Sequence, residues 1–86
     1  MKICITSQEN NLNSPVDFRF GRAQFFLVLN EKGELLESFS NPGLRARGGA
    51  GIAAAQELAK RSIDVLITGN VGPNAFRVLD MSGVKI

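Results

Sequence analysis

Arg45-Ala46-Arg47-Gly48-Gly49-Ala50-Gly51-Ile52-Ala53-Ala54-Ala55-Gln56-Glu57-Leu58-Ala59-Lys60-Arg61 is a glycine-rich turn running straight into a helix. Ile52, Ala55 and Ala59, with Leu58 beside them, recur at spacings of three and four and form an apolar stripe, while Gln56, Glu57, Lys60 and Arg61 fall mostly on the other side. Lys60 and Arg61 sit in the last turn, where cations suit the negative end of the helix dipole. At the other end no Ser, Thr, Asp or Asn stands at the capping position, only Gly48 and Gly49, so the first-turn N–H groups lack a side-chain acceptor. Those free donors, the dipole, and Arg45 and Arg47 just upstream make an arrangement that receives an anion. Taken alone, the stretch also reads as a flexible loop with water on the donors. It is neither a Walker A loop nor a Gly-x-Gly-x-x-Gly fingerprint.

Working outward, Met1 to Thr6 reads as a central strand, with Ile3 and Ile5 on one face and Cys4 and Thr6 on the other. Cys4 reads as a small buried core residue. Ser7 to Arg22 is an irregular loop of more than a dozen residues carrying Phe18, Arg19, Phe20 and Arg22, a length that points to a functional segment. Phe25 to Leu29 is an apolar strand, Asn30 to Glu34 a hairpin loop with Gly33 for the positive φ, and Leu35 to Ser40 the returning strand near the sheet edge. After the helix, Ser62 stands where a glycine is expected. Ile63 to Thr68 is the apolar run of a parallel strand buried on both faces. Gly69 to Pro73 is a second glycine-rich turn, Asn74 to Met81 a helix, and Val84 to Ile86 the start of a further strand.

This order predicts an α/β domain with an antiparallel start and a parallel finish. The loops Ser7–Gly21, Asn41–Gly49 and Gly69–Pro73 then leave the sheet at one edge, where open α/β sheets bind ligands. Arg19, Arg22, Arg45 and Arg47 are predicted to converge there, beside the backbone donors of Gly48, Gly49, Ala50 and Gly51.

Composition limits what such a site can do. With 86 residues there is one domain, residues 1–86, burying about 60–65 % of its unfolded surface. The 44 % hydrophobic and 21 % charged residues describe an ordinary globular chain, with no run able to cross a bilayer and no visible signal or transit peptide. One cysteine and no histidine exclude an internal disulfide and a multi-cysteine zinc site, and fit a reducing, cytoplasmic setting. A net charge of +2 gives no argument for nucleic acid.

Asp17-Phe18-Arg19-Phe20-Gly21-Arg22-Ala23 before a two-aromatic strand, Gly49-Ala50-Gly51-Ile52-Ala53-Ala54-Ala55, Asp64-Val65-Leu66-Ile67-Thr68-Gly69 and Gly72-Pro73-Asn74-Ala75-Phe76 occur in an order and at intervals that carry a resemblance. Over essentially its whole length the chain resembles the dinitrogenase iron–molybdenum cofactor-binding domain family. The resemblance implies a ribonuclease H-like three-layer fold with a five-stranded mixed sheet in order 3-2-1-4-5 and strand 2 antiparallel. It also implies a non-catalytic role in nitrogenase assembly, binding and carrying the iron–molybdenum cofactor or its iron–sulfur precursor, a cargo not required for folding. The negative charge of such a cluster agrees with an arginine-lined crevice.

Two departures from the family pattern shape the expectation. Where relatives often carry histidine or a further cysteine, this sequence reads Leu44-Arg45-Ala46-Arg47-Gly48, so Cys4 is left as the sole candidate for direct ligation. A cradle of arginines and backbone donors is the reading that follows. Relatives also commonly run past the last strand into another helix, whereas this sequence stops at Ile86: either it falls short of that helix, or it is a minimal member for which a partner protein or a second copy is a candidate to cover the surface left open. The competing readings are an interaction module using Phe18 and Phe20, and a ribonuclease H-type nuclease. The nuclease needs clustered carboxylates for two metals, and Asp17, Asp64 and Asp80 fall on a loop, a distant strand end and a helix.

Overall fold

The computed structural model describes residues 1–86. Strands β1 (Ile3–Ser7), β2 (Phe25–Leu29) and β3 (Leu35–Ser40) are followed by a short 3-10 helix (Pro42–Arg45), helix α1 (Ala50–Lys60), strand β4 (Val65–Ile67) and helix α2 (Pro73–Met81). The sheet order is β3-β2-β1-β4, with β1 antiparallel to β2 and parallel to β4. The α/β class therefore stands.

The five-stranded expectation does not. The sheet has four strands, and Val84-Lys85-Ile86 contributes a single parallel bridge, Lys85 opposite Val65. The Leu66 N–H donates to the Lys85 carbonyl at 2.7 Å and the Lys85 N–H donates to the Asp64 carbonyl at 2.9 Å. These two bonds flank the one bridge at Val65 and no second bridge extends it, so the segment closes a single link and builds no ladder. A three-layer arrangement is absent as well. Cys4, Phe26, Val28 and Leu66 pack with Ala54, Ala55 and Leu58 of α1 and Ala75 and Leu79 of α2 in one core cluster, so both helices lie on one face. Ile3, Ile5 and Ile67 alternate onto the other face, outside that cluster.

Local chemistry explains the element ends. In the hairpin, the Asn30 side-chain oxygen accepts from the N–H groups of Lys32 at 2.9 Å and Glu34 at 3.0 Å, and Gly33 takes φ 83°. Ser62 adopts φ 59° just after α1, the left-handed conformation for which a glycine was expected. Arg61 joins the end of α1 to the sheet edge: it pairs with Glu57 and with Glu37 of β3, and its guanidinium lies 3.6 Å from the centroid of Phe39. Phe39 meets Phe26 edge-on and Phe26 stacks on Phe20 at 5.7 Å, carrying the core toward the loop edge.

At that edge three backbone segments touch with no room for side chains. A Cβ on Gly43 would lie 2.5 Å from the Gly21 carbonyl oxygen and 2.6 Å from the Ala50 carbonyl oxygen, and one on Gly21 would lie 2.9 Å from the Gly51 nitrogen. Gly43→Ala is therefore expected to lower unfolding free energy by about 1–3 kcal/mol in urea denaturation. Gly48→Ala, whose Cβ would meet nothing within 4 Å, should stay within about 0.5 kcal/mol of wild type. Equal effects of the two would show that the seam is not closely packed.

Candidate functional site

Two helices begin beside this seam, and neither is capped by a side chain. Gly49 precedes α1 with φ 66° and Gly72 precedes α2, and a Cβ at either would face open space. The N–H groups of Ala50, Gly51 and Ile52 in α1, and of Asn74 and Ala75 in α2, make no hydrogen bond within the protein. Pro73 has no N–H to offer, which suits it to the first helical position. The helices converge at these ends, where a Cβ on Gly51 would lie 3.1 Å from that of Ala75.

Between them opens a cleft of about 330 Å³, lined by Phe20–Arg22, Gly49–Ile52 and Gly72–Ala75. Two positive helix ends and five unpaired donors face a space walled partly by apolar atoms, which favours a polyatomic anion over a cation or a neutral ligand. No group of three histidine, cysteine, aspartate or glutamate side chains is placed to hold a metal. A metal species fits this cleft only if it brings its own ligands and presents negative charge outward.

The sequence-predicted residues divide. Gly49, Ala50, Gly51 and Arg22 line the cleft. Arg22 is exposed and makes one long hydrogen bond, from Nη1 to the Gly43 carbonyl at 3.4 Å. Gly48, Arg45 and Arg47 are exposed on the approach to α1 without lining the cleft, and neither arginine makes an ion pair. Arg19 lies elsewhere: with Gln8, Asp17, Phe18 and Gln24 it lines a second, more open groove of about 540 Å³. Its guanidinium is committed to Asp17, donating from Nε at 3.2 Å and Nη2 at 3.1 Å. These bonds hold the buried Asp17 carboxyl below its ordinary range.

Cys4 is fully buried in the β1 core and lines neither cavity. Burial pushes its thiol up to about 12, so the thiolate that a metal or an electrophile needs is not present at neutral pH. Of the aromatic pair, Phe20 is interior and Phe18 is 69 % exposed.

Residues 72–75 and Asn41 belong to the site's construction; the loops expected at this edge include Gly72, Pro73 and Asn41, but none of the five is among the expected site residues. The first had a signal, a glycine–proline turn with no capping side chain. Asn41 had none, because an Asn before Pro-Gly reads simply as a turn.

The whole chain, residues 1–86, matches the family described as dinitrogenase iron–molybdenum cofactor. An uncharacterised protein of Methanocaldococcus jannaschii is 30 % identical over 89 residues, covering 100 % of this chain and 72 % of that protein. The apo form of the orange protein from Desulfovibrio gigas superposes with a TM-score of 0.88 at 41 % identity, covering 96 % of this chain and 70 % of that one. A Thermotoga protein solved by NMR and described as a candidate NifB gives 0.76 at 34 % identity, covering 96 % and 71 %.

The Asp17–Arg19 pair has a pH signature. Because the folded carboxyl titrates below its unfolded value, its contribution to stability is present above the ordinary carboxylate range near pH 4 and is lost as pH falls through the lower folded value. Asp17→Asn should be less stable than wild type at pH 7, with the gap closing below about pH 4 in paired urea titrations. A gap constant down to pH 2 would show that ionisation of Asp17 adds nothing.

Proposed function

The chain belongs to the dinitrogenase iron–molybdenum cofactor family, and from that premise we propose that it is a non-catalytic binding or carrier domain for an anionic metallocluster. The candidate cargo is the iron–molybdenum cofactor, an iron–sulfur precursor of it, or a related anion. One observation carries the reading: two uncapped helix N-termini open into a single cleft that contains backbone donors and Arg22 but no metal-ligating side chain. The donor set suits a cluster whose metals are already coordinated, held through its outer atoms by N–H groups. Arg45 and Arg47 supply unpaired positive charge on the approach and accelerate capture of an anion.

A second reading, a protein-interaction module, draws on the exposed Phe18 beside the second groove. The two separate by experiment. Anaerobic titration with iron–molybdenum cofactor or an iron–sulfur precursor, followed by visible absorption and gel filtration, should show the chromophore comigrating with the protein. Cys4→Ala should bind as wild type does. Arg22→Ala should bind roughly tenfold more weakly, the loss of about one hydrogen bond to an anion. Arg45→Ala/Arg47→Ala should flatten the salt dependence of binding. Absence of binding where a known carrier succeeds, in a folded protein, would overturn the carrier reading and favour a protein partner.

A further inference from the structure

The wall of the cleft formed by Phe20, Gly21 and Arg22 belongs to a loop, and something must fix where its backbone polar groups point. Its carbonyl oxygens carry partial negative charge and would repel an anion if turned into the cleft. The structure shows where two of them go. Asn41, 1 % exposed, donates from Nδ2 to the Phe20 carbonyl and to the Gly21 carbonyl, each at 3.2 Å. Its Oδ1 accepts from the Gly43 N–H at 2.8 Å. Its own N–H donates to the Gln24 carbonyl and its own carbonyl accepts from the Leu44 N–H, both at 3.2 Å. Every hydrogen-bonding group of the residue is thus used, and two of the bonds reach the loop that lines the cleft.

We propose that Asn41 is the positioning residue of this cleft: its carboxamide draws the Phe20 and Gly21 carbonyl oxygens into the interior, so that neither presents an acceptor to an anion. The consequence for binding rests on the carrier reading above, whereas the geometry rests on the hydrogen bonds alone. Neither isosteric nor smaller residues reproduce it. Aspartate has the same shape but no N–H when ionised, and it sets a negative charge against two carbonyl oxygens. Serine has one O–H donor for two carbonyls. The same amide also holds Gly43 in register beneath Gly21 and Ala50, so the position of α1 against the loop depends on it.

The test uses isotope-labelled protein, inorganic sulfate as the probe anion, and amide chemical shifts with and without it. In wild type, sulfate should move the Ala50, Gly51, Ile52, Asn74 and Ala75 amides. In Asn41→Asp at pH 8 the sulfate-free shifts of residues 20–22 and 50–52 should already be displaced, and sulfate affinity should fall roughly tenfold or more. Lowering the pH to 5 should restore part of that affinity, because a carboxyl facing two carbonyl oxygens is driven toward its protonated, donating form. Arg22, the charged group bonded to this seam, is common to both proteins and the Asn41 carboxamide has no ionisable group, so wild type should show no such recovery. A folded Asn41→Asp protein with wild-type shifts and pH-independent wild-type affinity would overturn the proposal. If the aspartate variant does not fold, Asn41→Ser takes its place, and undisplaced shifts at residues 20–22 and 50–52 would overturn it equally. If wild type itself ignores sulfate, the anion-binding reading fails, and the displacement of those amides in the variant alone decides the role of Asn41.

Discussion

Everything at the candidate site follows from the parallel pairing of β1 with β4, set by only three residue pairs: Ile3 with Val65, Cys4 with Leu66 and Ile5 with Ile67. A parallel partner cannot be reached by a tight turn, so the chain must cross over the sheet, and α1 is that crossover. Once β1 and β4 point the same way, the loops after them leave at the same edge. Helix α2 starts from that edge because β4 ends there. Two helix N-termini therefore meet by topology, before any side chain at the site is considered.

Topology brings the segments to one edge, but contact at the distances seen requires the absence of side chains. Gly43 under Gly21, Gly21 against Gly51, and Gly51 against Ala75 form a row in which each neighbour is backbone or a methyl group. Such a row has no adjustable atoms, which is why its alignment falls to the buried amide of Asn41 and to the Phe20–Phe26 stack beneath it. Elsewhere the hairpin and the end of α1 are tied by exposed or half-exposed pairs such as Arg61 with Glu37 and Glu57. Pairs of that kind contribute little individually.

Much of this was legible from residues. The bare glycines before α1, the left-handed residue after it, and the shared edge of three loops all follow from rules about caps and crossovers. What escaped is instructive about why. Strand periodicity could identify Val84 and Ile86 as strand-like, but whether three residues close a ladder depends on pairing that no local pattern encodes. Four loop arginines looked equivalent in sequence, yet Asp17, two residues from Arg19, claims one of them, and of the other three Arg22 alone lines the cleft. Asn41 was invisible because its partners lie about twenty residues away in sequence.

The absence of protein ligands in the cleft has a physical corollary for the carrier reading. A cluster bound through a thiolate or an imidazole leaves only by exchanging a coordination bond, and its retention depends on the protonation state of that ligand. A cluster held by backbone N–H groups and one guanidinium leaves by breaking hydrogen bonds, each of modest net strength once water can replace the donor. Holding power then comes from the number of donors set in place beforehand, and preorganisation of the wall matters more than any single contact. That places the demand on the glycine seam and on Asn41 rather than on a ligand residue. It also accounts for a cysteine that is buried in the core with its thiol protonated, since on this reading sulfur from the protein has no part to play.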